Sequence, residues 1–330
     1  MKGILIILAS LLVAKASFAE LVVYADRNLQ LFVEAANEFK AQTGEEVVFV
    51  GGNDYFALRD QHIAATAQGV VGDLFITKDI MFFSDLKANN LTQAFPVSLD
   101  ISKVIPSLQD TDRNYVALTY RSRSVAFSPE ALDRSELTTY EDLADPKWQG
   151  RLCLRKGFHS YNISLVSYLL DKHGKDKTTQ ILEGWLNNLA APIFSNDNAI
   201  LNAIANGTCD LGIVNHYYLA GAIATNPGFP VEMAFLEQGT GGVHTNGMGV
   251  ALLKTSTQQE LAAQFVQILL QEKHQLAISG SHFDFPVLQG LNANTFVDTW
   301  GPFEMTTVPW STIGNNITTA IEVMTEVGYN

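Results

Sequence analysis

Apolar runs and amphipathic segments alternate along the first quarter of the chain. Residues 21–24, 47–50 and 73–77 are apolar runs of strand length, and residues 31–41 and 55–68 lie between them with apolar positions at helical spacing. This order predicts an α/β fold in which a parallel sheet carries helices on its faces. Because ligands of such sheets bind at the carboxyl ends of strands, the polar residues that follow each strand are candidates for a site.

The same α/β pattern returns in the second half of the chain. Strands are expected at 151–155 and 209–214. Ser160 and Asn215 each stand where a side chain can cap the helix that follows. The second region therefore predicts a sheet with helices of its own.

Two stretches have the character of crossings between domains. Residues 116–119 and 121–127 are connected extended segments, and residues 240–253 form a glycine-rich turn that leads into an apolar strand. With 330 residues, 47% of them hydrophobic, the chain can build two medium-sized cores.

The amino terminus has the pattern of a secretory signal. Lys2 precedes an apolar run at 4–14, and small residues stand at 17 and 19, so cleavage is expected before Glu20. No cysteine follows the apolar run, so no lipid anchor is expected, and no later segment has the length of a transmembrane helix.

The charge balance of the mature chain excludes two classes of partner. Removing residues 1–19 deletes Lys2 and Lys15, which leaves 311 residues, 19 basic side chains against 34 acidic ones, and a net charge of −15. This sign disfavours nucleic acids and anionic membrane surfaces as partners.

The chain has two cysteines, Cys153 and Cys209. An oxidising compartment preserves disulfides, so the two thiols of an exported chain are expected to pair. Two buried free thiols are the alternative.

Three tyrosines are candidate metal ligands. Tyr161 lies eight residues after Cys153, and Tyr217 lies eight residues after Cys209 and next to Tyr218. If the disulfide forms and the two segments run side by side, the phenols come close together. Both segments lead into helix N-termini, which favour negative charge, and three phenolates would neutralise a ferric ion. Against this hypothesis, adjacent tyrosines more often serve packing or an interface.

Arg27 and Arg121 fall at a strand end and a domain crossing, where guanidinium groups can bind an anion bidentately. For each arginine alone, a solvated ion pair is the simpler interpretation. The sequence has no histidine or cysteine spacing typical of zinc and no nucleophile motif. A ferric-ion binder, a small-anion binder and an exported tyrosinate-iron enzyme therefore remain as alternatives.

Six segments, in order along the chain, carry a resemblance to a known family: Leu118-Thr-Tyr-Arg-Ser-Arg, residues 151–165, Asn215-His-Tyr-Tyr, Phe285-Pro-Val-Leu-Gln-Gly, Ile313-Gly-Asn-Asn and Glu326-Val-Gly-Tyr. With these segments the chain resembles the periplasmic ferric-iron-binding proteins of bacterial ABC importers. The family implies a two-lobed type II binding-protein fold with mixed, mainly parallel sheets and a hinge of two crossing strands. It also implies a non-enzymatic, monomeric periplasmic protein that delivers Fe(III) to an inner-membrane ABC permease.

The resemblance also implies lobe boundaries and site residues. The N-terminal lobe would comprise 20–119 and 247–297, and the C-terminal lobe 120–246 and 298–330. Many family members carry His or Tyr just after the arginine of the first turn, where this chain has Asn28 and Leu29. No strong first-lobe metal ligand is therefore expected there, and Tyr120 is not counted because it should face away from its neighbour Arg121. The implied iron ligands are Tyr161, Tyr217 and Tyr218, and the implied contacts of a synergistic anion such as carbonate are Arg27, Asn28 and Arg121.

Overall fold

The computed structural model describes residues 20–292 and 295–330, so the expected signal segment 1–19 lies outside the described residues. The strands join into one mixed sheet with the order β2-β1-β3-β8-β4-β6-β5, and β7 and β9 also pair with β4. The strands are β1 (Leu21–Ala25), β2 (Val47–Gly51), β3 (Leu74–Thr77), β4 (Tyr115–Phe127), β5 (Leu152–Cys153), β6 (Leu211–Asn215), β7 (Glu232–Ala234), β8 (Thr245–Leu252) and β9 (Phe285–Pro286).

Helices follow the strands in both halves of the chain. Short 3-10 turns directly precede two of them, at Leu29–Phe32 and Ile80–Phe82. The helices are α1 (Val33–Thr43), α2 (Tyr55–Thr66), α3 (Phe83–Ala88), α4 (Ser160–Asn187), α5 (Asp197–Ala205), α6 (His216–Thr225), α7 (Gln259–Leu269), α8 (Glu272–Gly280), α9 (Thr295–Asp298), α10 (Trp310–Asn315) and α11 (Ile317–Glu326).

The N-terminal strands confirm the predicted β-α-β-α-β order. Strand β1 lies between β2 and β3 and runs parallel to both. Apolar residues of the strands and of the α1 face pack into a buried core, with Phe32 and Phe39 fully enclosed. Parallel pairing places Ala25 and Thr77, the last residues of β1 and β3, at one edge of the sheet. The polar residues that follow them therefore emerge side by side.

Two long strands connect the halves of the molecule. The segments expected at 116–119 and 121–127 are one continuous strand, β4, which runs antiparallel to β8 with a register shift between Ala117 and Thr119. Gly247 lies opposite Tyr120, and a Cβ there would collide with the carbonyl of Thr119, so the close approach of β4 and β8 requires glycine.

Beyond this crossing, β4 continues antiparallel to β6 and β7, and β5 runs parallel to β6. The mixed α/β fold expected from the sequence is thus confirmed, although each pair made by β4 or β8 is antiparallel. Helix α4 is interrupted at Gly174, whose φ of 73° is left-handed. No helix within 20–292 or 295–330 is both long enough and apolar enough to cross a membrane.

Cys153 and Cys209 form the expected disulfide, with their Cα atoms 6.0 Å apart. Both sulfur-bearing residues are buried, and Cys153 belongs to β5, the neighbour of β6. The bond therefore ties together the two segments that lead to Tyr161 and Tyr217, which is the condition that the equal spacing required.

Replacing both cysteines by serine should lower the free energy of unfolding by about 4 kcal/mol, because the bond closes a loop of 56 residues in the unfolded chain. Urea denaturation of oxidised wild type, reduced wild type and the Cys153→Ser/Cys209→Ser variant measures this difference. The reduced wild type should resemble the variant. Equal midpoints for all three proteins would show that the disulfide contributes nothing to stability.

Candidate metal centre

A polar cavity of about 260 Å³ lies where the strand ends of the N-terminal sheet meet the helix starts of the second region. Its walls come from the turns after β1 and β3, from β4, from the first turns of α4 and α6, and from the segment before β9. The lining residues are Arg27, Lys78, Arg121, Tyr161, Tyr217, Tyr218, His282 and Asp284. The structure thus brings together the three predicted tyrosines and both predicted arginines.

The phenol oxygens of Tyr161 and Tyr217 are 2.8 Å apart, with Tyr217 donating a hydrogen bond to Tyr161. Metal–oxygen bonds of about 2.0 Å place neighbouring ligands of an octahedral ion about 2.8 Å apart. The ring of Tyr218 lies 4.6 Å from the ring of Tyr217, measured between centroids. Two oxygens already have the separation of adjacent metal ligands, and a third phenol stands beside them.

Both helix starts bear out the expected positions of the tyrosines, but the expected caps are wrong. His159, not Ser160, caps α4, because its Nδ1 accepts from the backbone N–H of Tyr161 at 3.3 Å. Ser160 instead donates to Asp79 Oδ2 at 2.6 Å, across to the turn after β3. Because the Ser160 hydroxyl donates to the buried carboxylate of Asp79, it does not cap its own helix.

Asn215 makes no side-chain cap for α6 either. Its amide group donates to the phenol oxygen of Tyr217 at 3.1 Å, and its carbonyl oxygen accepts from Arg123 at 3.0 Å. Since Arg123 fixes the orientation of the amide, the N–H of Asn215 points at the phenol. A donor in this position favours the phenolate form of Tyr217.

Three guanidinium groups surround the ring of Tyr161. Those of Arg121, Arg123 and Arg155 lie 5.2, 5.8 and 5.3 Å from its centroid. Burial nevertheless raises the pKa of Tyr161 to about 12, against the lowering effect of Arg121. Burial likewise raises the pKa of Tyr217. Both phenols therefore hold their protons at neutral pH until a cation displaces them.

The two arginines predicted to bind an anion differ in how many of their donors are engaged. Arg121 donates to the carbonyl of Lys78 at 2.8 Å and to Asp79. Arg27 lies 3.8 Å from Asp284 Oδ2, and its buried Nε has no hydrogen-bond partner among the described residues. An unpaired guanidinium N–H at a cavity wall is a donor that a bound anion would satisfy.

Asn28 does not join the arginines. Its side chain is exposed, and its Oδ1 accepts from the backbone N–H of Gln30 at 3.1 Å, which caps the 3-10 turn before α1. It is not among the described residues that line the cavity. Tyr120 is directed away from the cavity as expected, with its ring stacked on that of Phe285 at 5.0 Å.

Sequence reasoning missed Lys78, His282 and Asp284. Lys78 follows β3 as Arg27 follows β1, so the strand-end rule contained a signal for it. His282 and Asp284 reach the cavity from the last third of the chain, for which the sequence offered no comparable signal. Burial and the charge of Arg27 lower the pKa of His282, so its ring is neutral near pH 7.

His216, beside Tyr217, is not available to a metal. Its Nδ1 accepts from the backbone N–H of Ser122 at 3.2 Å, and its Nε2 donates to the carbonyl of Phe283 at 2.7 Å. Burial lowers its pKa to about 4. Across the described residues there is no group of three or more His, Cys, Asp or Glu side chains suited to a metal, so the phenols are the principal ligand candidates.

Two sets of strands joined by two long crossing strands, with a polar cavity beside the crossing, define a solute-binding protein of the two-lobed type II class. The chain belongs to the family of bacterial extracellular solute-binding proteins, whose pattern matches residues 34–304. This family serves transport and is not an enzyme family, which confirms the expectation of a non-enzymatic binding protein.

Relatives and solved structures extend this assignment over nearly the whole chain. The chain is 28% identical over 320 residues to iron uptake protein A1 of Synechocystis sp., covering 94% of this chain and 87% of that protein. The structure of a Trichodesmium protein (IdiA, FutA) in complex with iron and citrate superposes with a TM-score of 0.87 at 26% identity, covering 94% of this chain and 100% of that one. A Bordetella ferric binding protein gives a TM-score of 0.85 at 27% identity, with 94% and 99% covered.

Proposed function

We propose that this protein captures Fe(III) in the cavity through the phenolates of Tyr161, Tyr217 and Tyr218 and delivers it to an ABC permease. The observation that carries the proposal is the 2.8 Å separation of the first two phenol oxygens, at helix starts and beside a third tyrosine. Hard oxygen ligands suit a hard trivalent ion. The printed names of the similar proteins, an iron uptake protein and a ferric binding protein, support the same cargo.

The same proposal covers location and domain arrangement. The protein acts as a monomer in the periplasm after loss of residues 1–19. Its lobes comprise 20–119 with 247–297 and 120–246 with 298–330. Tyr120 begins the proposed C-terminal lobe, and Gly247 begins the second segment of the N-terminal lobe. The strand register supports these boundaries because the two residues are paired, Tyr120 in β4 and Gly247 in β8.

A synergistic anion, with carbonate as the proposed species, occupies metal positions that the phenolates leave open. Arg27 supplies the unpaired Nε, and Arg121 and Lys78 add positive charge on the same cavity. Asn28 stays a prediction as an anion contact. Carbonate offers two oxygens to the iron and a third to a guanidinium group, which matches one unpaired donor beside a metal site.

Iron titration with and without bicarbonate, followed by the visible phenolate-to-iron absorption, tests this function. Wild-type protein should turn coloured at one iron per chain and bind more tightly with bicarbonate. Arg27→Gln should keep the coloured complex, but the increase in iron affinity that bicarbonate produces should be at least about tenfold smaller than in wild type. The reason is that a charged hydrogen bond is worth about 1.5–3 kcal/mol.

Arg113→Gln is the matched control, since Arg113 hydrogen-bonds backbone carbonyls away from the cavity. It should retain the full effect of bicarbonate. A wild-type protein that stays colourless with iron and binds small anions would support the anion-binding alternative and contradict the ferric proposal.

A further inference from the structure

We propose that His282 binds the ferric ion through its Nε2 as a fourth protein ligand. This inference rests on the proposed function. His282 lines the same cavity as the three tyrosines but belongs to a different part of the chain, the segment between α8 and β9. Three phenolates leave half of an octahedral shell open, and an imidazole nitrogen is a common iron ligand.

Two hydrogen bonds of Ser281 favour one tautomer of the His282 ring. The hydroxyl of Ser281 donates its proton to the carbonyl of Ile278 at 2.9 Å. The same oxygen lies 2.7 Å from Nδ1 of His282; with its single proton donated to Ile278 it accepts from Nδ1, and we assign the ring hydrogen to Nδ1 on this basis. Nε2 therefore holds a lone pair, and it has no hydrogen-bond partner among the described residues.

This arrangement is the one that metal-binding histidines generally show, in which the second ring N–H is held by an oxygen that sets the ring orientation. His282 thus has a free lone pair on one nitrogen and a fixed donor bond on the other. In contrast, His216 uses both nitrogens, and His159 uses Nδ1 to cap α4.

The residues that follow His282 are clamped to both parts of the site. The carbonyl of Phe283 accepts from His216, the residue that precedes Tyr217. Asp284 Oδ2 accepts from Thr119 Oγ1 of β4 at 3.0 Å. Phe283 has a φ of 58°, a left-handed conformation that costs energy for a residue other than glycine. These contacts hold the segment in the turn that presents both His282 and Asp284 to the cavity.

The test compares wild type, His282→Gln and His173→Gln by citrate competition in bicarbonate-containing buffer, with absorbance and pulsed EPR as readouts. His173 lies in α4, away from the cavity, and serves as the matched control. His282→Gln should bind iron at least about 10- to 100-fold more weakly. Its absorption band should move to longer wavelength, because a weaker donor leaves the iron more electron-poor.

Pulsed EPR of the ferric wild type and of His173→Gln should show coupling to the remote nitrogen of a bound imidazole, and His282→Gln should lack it. His282→Ala opens space at the same position, so added imidazole should restore the band and the nitrogen coupling in that variant and leave wild type unchanged. If His282→Gln fails to fold, the rescue of His282→Ala by imidazole still tests whether His282 binds the iron.

Failure of the proposed role of His282 and failure of the proposed function give different results. A coloured wild-type complex without nitrogen coupling, together with an unchanged band and affinity in His282→Gln, would overturn the role of His282 and leave the tyrosine site standing. A wild type that forms no coloured complex at all would overturn the proposed function itself.

Discussion

Tyr217→Phe should abolish the coloured iron complex and lower the affinity for Fe(III) by more than about 100-fold. Loss of a group that only orients a metal ligand already costs about 10- to 100-fold, so loss of a ligand costs more. Tyr217 is the central phenol: its oxygen lies 2.8 Å from that of Tyr161, and its ring packs against Tyr218. The measurement is iron titration against excess citrate, followed by visible absorption.

The substitution leaves the packing of the ring intact, so its effect on iron can be separated from an effect on folding. Phenylalanine loses only the hydroxyl with its bonds to Asn215 and Tyr161. Tyr120→Phe is the matched control, because it removes a phenol next to Arg121 that faces a different pocket. Equal iron binding by Tyr217→Phe and wild type would refute the three-phenolate site.

Local patterns were sufficient to predict much of the fold and the core of the site. The apolar runs at β1 and β3 specified their strands because most of their residues are buried, and the run at β2 forms the half-buried edge strand of the same sheet. The count of eight residues from each cysteine located two tyrosines together, because β5 and β6 run parallel and the disulfide joins their segments. These features depend on residues close in sequence or on a single covalent link.

Contacts between distant segments could not be read in the same way. Ser160 and Asn215 have good capping side chains, but Asp79 and Arg123 offered them buried, charge-assisted partners instead. Periodicity contains no information about which carboxylate or guanidinium group will lie opposite a hydroxyl or an amide. The tertiary partner therefore overrides the local preference at both helix starts.

His282 shows the same limit for a residue that the sequence analysis missed. Nothing in the sequence around it indicates a ligand, because its position depends on the antiparallel pairing of β9 with β4 and on the hydrogen bond from His216 to Phe283. The expectation that the first turn, with Asn28 and Leu29, offers no strong metal ligand stays a prediction. The sequence did not show that another segment of the chain brings an imidazole to the cavity.

In bicarbonate-free solution, where no proton comes from the anion, iron binding should release about three protons per ion at pH 7, and the affinity should fall by about 1000-fold for each unit that the pH is lowered. Each phenol must lose its proton to bind, and one released proton changes the apparent affinity tenfold per pH unit. Burial raises the pKa of Tyr161 to about 12 and also raises that of Tyr217, so these phenols are protonated in the empty site throughout the neutral and acidic range. The affinity for iron therefore rises as pH rises, and iron is released as pH falls.

Proton release can be measured in weakly buffered solution with a pH indicator, as iron is transferred from a chelator whose own proton uptake is known. Tyr218→Phe is the informative variant, because it removes one of the three proposed phenolates while keeping the pair of Tyr161 and Tyr217 that is 2.8 Å apart. It should release about two protons per ion and lose about 100-fold rather than 1000-fold of affinity per pH unit. Release of fewer than one proton by wild type would mean that iron is held by groups already ionised at pH 7, and a value of three that is unchanged in Tyr218→Phe would remove that tyrosine from the ligand set.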